Sequence, residues 1–328
     1  MQMTSIIKPN IKTYAINTVL VLTIYGIISF SLYQGVLNNF HRGILILICI
    51  NIMLATSLNL SAGFLGQLVL GHAAFMYIGA YSSAILSIQL NIETTWGLLI
   101  SLGFGGCMAA LIGALIGIPA LRLRGDYLAI ITLGFGQIIK SIAFNLSITG
   151  GPRGLGNIPR LTNFNVAFFV MLGSVVILMT LIRSRHGRAM IAIREDEIAA
   201  EAVGISTTFY KILGFSVSAF FAGIAGGLFA HHIAFLMPQN IGFEYSIELL
   251  VIVVLGGMGS ITGSILAAVI LTVLPELLRE FSDYRMLVYS ILLIVTMIFR
   301  PKGLMGSYEF SIQKIIRKLT DMKQGVGK

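Results

Sequence analysis

The sequence predicts an all-α polytopic membrane protein of about ten transmembrane helices, eight at minimum, with N- and C-termini cytoplasmic. Three observations predict it. Hydrophobic residues make up 56% of the 328 positions and charged residues only 11%, whereas a soluble domain carries about 25% charged residues. So little charge cannot cover a water-facing surface of this size. The apolar residues gather in runs close to the roughly 20 residues needed to cross a hydrocarbon core about 30 Å thick. Finally, the basic residues sort to one side of those runs. A soluble enzyme, a disordered tail and a fibrous repeat are excluded. Cys49 and Cys107 both sit in apolar runs, which excludes a disulfide framework.

Taken in order, the crossings are Tyr14–Tyr33, Gly43–Leu60, Gly66–Ile88, Thr95–Ile118, Tyr127–Ser147, Phe164–Ile182, Ile212–Phe235, Phe243–Gly257, Ser260–Leu274 and Arg285–Phe299. The first follows Lys8 and Lys12 as a signal peptide would, but it is as long as a crossing and no small-residue cleavage site follows it. It reads as a retained helix. The eighth and ninth are short and are parted only by the turn Gly256-Gly257-Met258-Gly259-Ser260. They form either a tight hairpin or one crossing with a re-entrant piece. Residues 1–328 read as a single transmembrane domain, with polar excursions at 183–211 and in the tail 300–328.

With the N-terminus inside, sixteen of the 22 Lys and Arg fall on the inner side, five on the outer side, and Lys140 within the fifth crossing. That split supports the orientation and an even number of crossings. It also accounts for the net charge of +9 without a nucleic-acid partner. Gly66, Gly71, Gly79, Gly103, Gly105, Gly106, Gly113 and Gly117 lie within apolar spans, where small residues let helices approach closely.

The stretch Arg183–Lys211 is the longest polar segment between crossings, and much of it reads as a short helix outside the membrane. Glu195, Asp196 and Glu197 form an acidic first turn suited to the positive end of a helix dipole. Gly204 is placed to stop the helix, and Ile198, Ala202 and Ile205 share one face. Such a helix can dock into a cleft of another protein, or it can be a solvated loop with local charge pairs.

Ala199, Ala200 and Gly204 hold the spacing of a signature, Glu-Ala-Ala, three residues, then Gly, found in the cytoplasmic loop of permeases of binding-protein-dependent ABC importers. Ile198 stands at the Glu position, with Glu197 before it and Glu201 after the alanines, and the downstream Ile-x-Leu-Pro is absent. That departure fits one branch, whose loop resembles Arg194–Ala202. Gly63–Gln67 with Leu70–Phe75 and Ile78–Tyr81, Leu121–Tyr127, Thr149–Leu155 and Val253–Ser260 resemble further motifs of that branch in the same order. The chain therefore resembles the LivM-type permease subunits of branched-chain amino acid ABC importers, most strongly from Gly63 to Gly303. The resemblance implies that Glu195, Asp196, Glu197, Ile198, Ala199, Ala200, Glu201 and Gly204 couple the chain to ATPase subunits. It implies two ATP-binding cassette subunits, a second related permease, a periplasmic substrate-binding protein, and a place in the bacterial cytoplasmic (inner) membrane. No cofactor is implied. Urea and other amide permeases resemble the same branch, which leaves them as an alternative.

Candidates for a path or gate are fewer. His72 and Gln67 lie among apolar neighbours; a lone intramembrane His either serves transport or donates to a neighbouring helix. Lys140, three residues after Gln137, either snorkels outward or lines a water-filled path. Glu244 and Glu248, spaced i, i+4, belong to an outer gate or sit at headgroup level. Adjacent His231 and His232 point about 100° apart on a helix and do not readily share a metal. The outer loop Thr149–Pro159, with four glycines and two prolines, reads as an ordered turn-rich segment. The sequence holds no Gly-x-x-x-x-Gly-Lys-Ser/Thr loop and no His-Glu-x-x-His or Gly-x-Ser-x-Gly, so ATP hydrolysis belongs to other chains and an intramembrane enzyme is disfavoured. An ion-coupled secondary transporter would need acidic or His residues near the middle of several crossings, whereas these carboxylates lie nearly all in loops or at helix ends.

Overall fold

The structure, a computed structural model, describes residues 11–35, 37–120, 123, 125–240 and 242–278, six positions between 284 and 298, and 303–306. The tenth crossing, Arg285–Phe299, lies almost wholly outside the described residues, as do most of the tail 300–328, Lys8, Arg122 and Arg124. The chain divides into two compact units, residues 1–43 with 309–328 and residues 44–308.

Among the described residues the regular structure is helical. It comprises α1 (Ile11–Tyr33), α2 (Asn39–Asn59), α3 (His72–Gln89), α4 (Thr95–Ala120), α5 (Asp126–Asn145), α6 (Phe164–Arg183), α7 (Arg185–Glu195), α8 (Glu197–Ala202), α9 (Thr207–Ile233), α10 (Phe243–Gly256) and α11 (Ile261–Leu277). Among the described residues five helices are long and apolar enough to cross a membrane: α2 with its extension to Phe64, α4, α5 from Tyr127, α6 and α9. The protein is an all-α, multi-pass membrane protein.

Helix boundaries differ from the sequence reading, most of all at the third helix. The third helix begins at His72 rather than Gly66. Instead, α2 runs on through a π-helical turn, Leu60–Phe64, and the chain then leaves helical geometry until Gly71. Gly66 adopts φ +74, which ends the turn. The amides this frees find side chains: Leu70 N donates to Thr132 Oγ1 of α5 at 3.1 Å, and Ala73 N to Ser246 Oγ of α10 at 3.2 Å. The eighth and ninth segments are two separate helices packed on each other. Their tight turn uses Gly257 at φ +109 and Gly259 at φ +86.

In the second unit the most extensive packing is among α3, α4 and α9. Here glycine acts by absence of a side chain. A Cβ on Gly79 would fall on the Gly223 backbone, one on Gly226 on the Met76 carbonyl, and one on Gly113 within 2.7 Å of Ala219 Cβ. Lipid gives apolar helices no hydrophobic reason to associate, so this backbone-to-backbone contact is what van der Waals packing gains. Gly103 is the exception within α4, since a Cβ there would meet open space.

A buried polar cluster ties the connection between α5 and α6 to this core. His231 Nδ1 donates to the Pro159 carbonyl at 2.9 Å, because a carbonyl only accepts. Its Nε2 is therefore the acceptor for Ser87 Oγ at 3.2 Å, while Ser83 Oγ, 3.3 Å away, donates to Ser101 Oγ. The loop is further held by an antiparallel bridge, with Leu155 N donating to Leu236 O at 2.8 Å and Leu236 N to Leu155 O at 2.9 Å. The turn-rich segment 149–159 is thus ordered by paired backbone groups.

The packing generates a contrast. Gly226→Ala should destabilise the fold by about 1–3 kcal/mol through overpacking, whereas Gly103→Ala should be neutral or raise stability by about 0.5–1 kcal/mol by favouring helix. Thermal unfolding of the two variants in detergent, against the parent, checks the order.

Candidate functional site

The polar segment between α6 and α9 folds as two short helices joined at a sharp corner. Ser184 caps the first, its Oγ accepting from His186 N at 3.1 Å and Gly187 N at 3.4 Å. A side chain on Gly187 would strike the Ile182 carbonyl, so the corner between α6 and α7 requires glycine there. α7 buries Gly187, Met190 and Ile193 and leaves Arg185 and Arg188 outward.

The acidic run does not form one first turn, as the sequence reading had it. Glu195 closes α7. Asp196 is extended, at φ −155 and ψ 108, and caps α8, while Glu197 begins α8. Asp196 Oδ1 accepts from Ile198 N at 2.9 Å and Ala199 N at 3.0 Å. This geometry follows from residue type, because a short carboxylate outside the helix reaches the free amides of the first turn. At the other end Gly204, at φ +84, donates its amide to Glu201 O at 3.0 Å, and Ile205 N donates to Ala200 O at 3.0 Å. These two bonds are the Schellman stop, for which a left-handed glycine is suited.

The expected face is also revised. Ile205 lies beyond the stop and is half-buried, so it does not join Ile198 and Ala202. Ala200 faces inward. Ile198 is 70% and Val203 78% exposed, with Ala199, Glu201 and Ala202 exposed beside them. The carboxylates turn back toward the protein. Glu197 Oε1 pairs with Lys211 Nζ at 2.7 Å, and that lysine side chain is 9% exposed. Glu201 Oε1 accepts from Thr207 Oγ1 at 3.4 Å. Glu195 pairs with Arg194 Nη2. The role of Lys211 was not visible in the sequence, where fourteen residues part it from Glu197 and no local spacing signals the pair. Arg194 entered the sequence reading as an inner-side charge and as the start of the family-like loop, and its Nη1 donates to the Gly63 carbonyl at 2.8 Å.

The remaining candidates fall in three places. His72 is buried at the start of α3, its Nε2 3.0 Å from Ser57 Oγ of α2. Gln67 is buried in the non-helical linker, and its side-chain oxygen has no partner among the described residues. The linker's Leu70 borders a crevice of ≈ 10 Å³ between α3, α5 and α10, lined also by Ala74, Gln137, Phe243 and Ser246. Such a volume is about that of one water, so the crevice is closed to an amino acid. Lys140 stands apart, its Nζ donating to the Gln239 carbonyl between α9 and α10 at 3.2 Å. Glu244 and Glu248 are exposed on one side of α10. Among the described residues no group of three or more His, Cys, Asp or Glu is arranged to hold a metal.

Long apolar spans, glycine-mediated packing and a capped helical pair projecting between two spans define a polytopic membrane protein of the permease class. The family model described as branched-chain amino acid transport system / permease component matches residues 41–298, and the chain belongs to that family. It is 40% identical over 291 residues to the high-affinity branched-chain amino acid transport system permease protein LivM of Escherichia coli K12, covering 78% of this chain and 68% of that one. It is 29% identical over 288 residues to LivH of Salmonella typhimurium, a permease protein of the same transport system, covering 78% and 91%. It is 26% identical over 248 residues to the autoinducer 2 import system permease protein LsrC of Yersinia enterocolitica, covering 70% and 69%. No solved structure matches.

Capping and charge at residue 196 separate experimentally. Asp196→Ala should loosen α8 by about 1 kcal/mol, while Asp196→Asn, which keeps the acceptor, should lie close to the parent. Hydrogen exchange at Ala199 and Ala200 reads the difference.

Proposed function

We propose that the chain is one of two related permease subunits of an ABC importer that moves branched-chain amino acids across a bacterial cytoplasmic (inner) membrane. Residues 1–328 then form one membrane domain of ten crossings with both termini cytoplasmic. A periplasmic binding protein delivers substrate to the outer face, and two ATP-binding cassette subunits supply ATP hydrolysis. One cassette receives the α7–α8 segment, with Glu195, Asp196, Glu197, Ile198, Ala199, Ala200, Glu201 and Gly204 forming the coupling site.

The observation that carries this reading is the α8 surface. Two large apolar side chains, Ile198 and Val203, stand exposed on a helix that is capped at both ends and tied to α9. Exposed apolar groups on a held polar segment mark a contact with another protein. The relatives' names support the substrate class, since LivM and LivH are both described as branched-chain amino acid permeases.

For the path we propose the region around Gln67 and His72, with Glu244, Glu248 and Lys140 toward its outer end. Two carboxylates on one side of a membrane helix are costly against lipid, which supports placing that side against water or the second permease. An uncharged side chain needs few charges in its path, in keeping with the few charged residues in the spans.

Reconstitution with the partner subunits tests the reading. ATP-dependent leucine uptake is expected, unaffected by excess urea. Ile198→Asp with Val203→Asp should lower cassette copurification and uptake about tenfold or more, because a charge is forced into an apolar contact. Intact copurification and uptake in that double variant would overturn the coupling site, and urea uptake in place of leucine would overturn the substrate.

A further inference from the structure

One end of the second unit brings three turns within a single side chain's length. The first is the π-helical end of α2 and its linker to α3; the second is the α10–α11 turn; the third is the corner between α7 and α8. Arg194, the penultimate residue of α7, reaches into the other two. Its Nη1 donates to the Gly63 carbonyl at 2.8 Å. That carbonyl lies at the end of a helix, where carbonyls lack helical partners and carry the negative end of the dipole.

The route of the side chain is defined by two glycines. A Cβ on Gly66 would lie 2.7 Å from Arg194 Cγ, and one on Gly259 3.0 Å from Arg194 Nη1. Both are left-handed, at φ +74 and +86. The arginine stem therefore passes where any larger residue on either turn would crowd it.

Below the guanidinium, Asn59 locks the two turns together. Its Oδ1 accepts from Gly259 N at 2.9 Å, and its Nδ2 donates to Ser260 O at 2.9 Å and Ser264 Oγ at 2.8 Å. Asn59 is fully buried, and a Cβ on Gly63 would collide with its side chain and with the Gly259 amide. The three turns thus share one continuous set of hydrogen bonds and backbone contacts running from Arg194 through Gly63 and Asn59 to Ser264.

We infer that Arg194 is a positioning residue that carries displacement of the α7–α8 segment to the α2–α3 and α10–α11 turns together. The inference rests on the coupling role proposed above for that segment. A charge-assisted bond to a helix-terminal carbonyl resists both pull and rotation of the guanidinium. The turns it meets touch through the Gly63 and Gly259 backbones and through the Asn59 side chain, which three hydrogen bonds hold in place. α10 carries Glu244 and Glu248, and α3 carries His72, so the two elements moved are those bearing the proposed path residues.

The test uses the complete transporter in proteoliposomes, with the parent chain, Arg194→Ala and Arg194→Lys. Cassette copurification, ATP hydrolysis and leucine uptake are measured side by side. Arg194→Ala should assemble and hydrolyse ATP as the parent does, while uptake per ATP falls about tenfold, the scale of one lost charge-assisted hydrogen bond. Arg194→Lys, which keeps a charged donor, should recover most of it. Unchanged uptake per ATP in the alanine variant overturns the inference. Hydrogen exchange on the same complexes supplies a second readout that needs neither leucine uptake nor catalysis. A non-hydrolysable ATP analogue should change exchange both in α7–α8 and at 257–260 in the parent. In Arg194→Ala only the first change should remain; persistence of the second overturns the linkage. Absence of any α7–α8 response in the parent would instead count against the coupling site itself, and the inference would fall with it.

Discussion

Hydrocarbon offers no hydrogen bonds, so every place where a helix is interrupted inside a membrane protein must be closed by the protein itself. The second unit has such an interruption between α2 and α3. There the amides of Leu70 and Ala73 are taken up by Thr132 and Ser246, which belong to α5 and α10. At the α10–α11 turn the Gly259 amide is taken up by Asn59 of α2. Each closure comes from a different helix than the one interrupted. The demand to satisfy backbone groups therefore does more than tolerate the breaks: it ties helices distant in sequence into joints.

The same economy governs packing. Apolar side chains gain nothing by leaving lipid for one another, so close contact of backbones has to supply the attraction. α3, α4 and α9 meet where Gly79 faces Gly223 and Gly226 faces Met76. The buried polar groups at that contact are hydroxyls and one imidazole, with Ser83 donating to Ser101 Oγ at 3.2 Å and His231 satisfied at both nitrogens. A core so arranged is rigid at its centre. At one end of the unit the turns are instead joined by the Arg194 and Asn59 side chains passing against glycine backbones.

Much of this was legible in the sequence, and the exceptions share a cause. The all-α, multi-pass class and the five long apolar helices followed from hydropathy, and Gly204 as a helix stop followed from its place after an acidic, alanine-rich run, because both signals are local. The start of α3 at His72 was not legible. Gly66 to Leu70 is apolar enough to continue a helix, and what interrupts it is a left-handed Gly66 in a linker held where Leu70 N donates to Thr132, sixty-two residues from Leu70. The Glu197–Lys211 pair, the Asn59 contacts to Ser260 and Ser264, and the reach of Arg194 to Gly63 are likewise long-range. Even the glycines divide on this ground. Gly79 and Gly103 look alike in the sequence, but only Gly79 meets another backbone. Which glycine packs is decided by the neighbour, and no periodicity within α4 reveals it.

A six-residue helix is far too short to hold its shape alone, since isolated helices below about 12–15 residues are marginal in water. α8 persists because each end is closed, by Asp196 at the start and by Gly204 and Ile205 at the finish. Glu197 and Glu201 then fasten its sides to Lys211 and Thr207 at the start of α9. A solvated loop with the same composition would yield under load and dissipate it. In the proposed importer a load on Ile198 and Val203 arrives instead on a body joined to α9 and, through Arg194, to α2. The acidic residues that first drew attention to this segment are thus better understood as its internal fastenings. In the proposed importer the surface offered to a partner is the apolar one they hold in place.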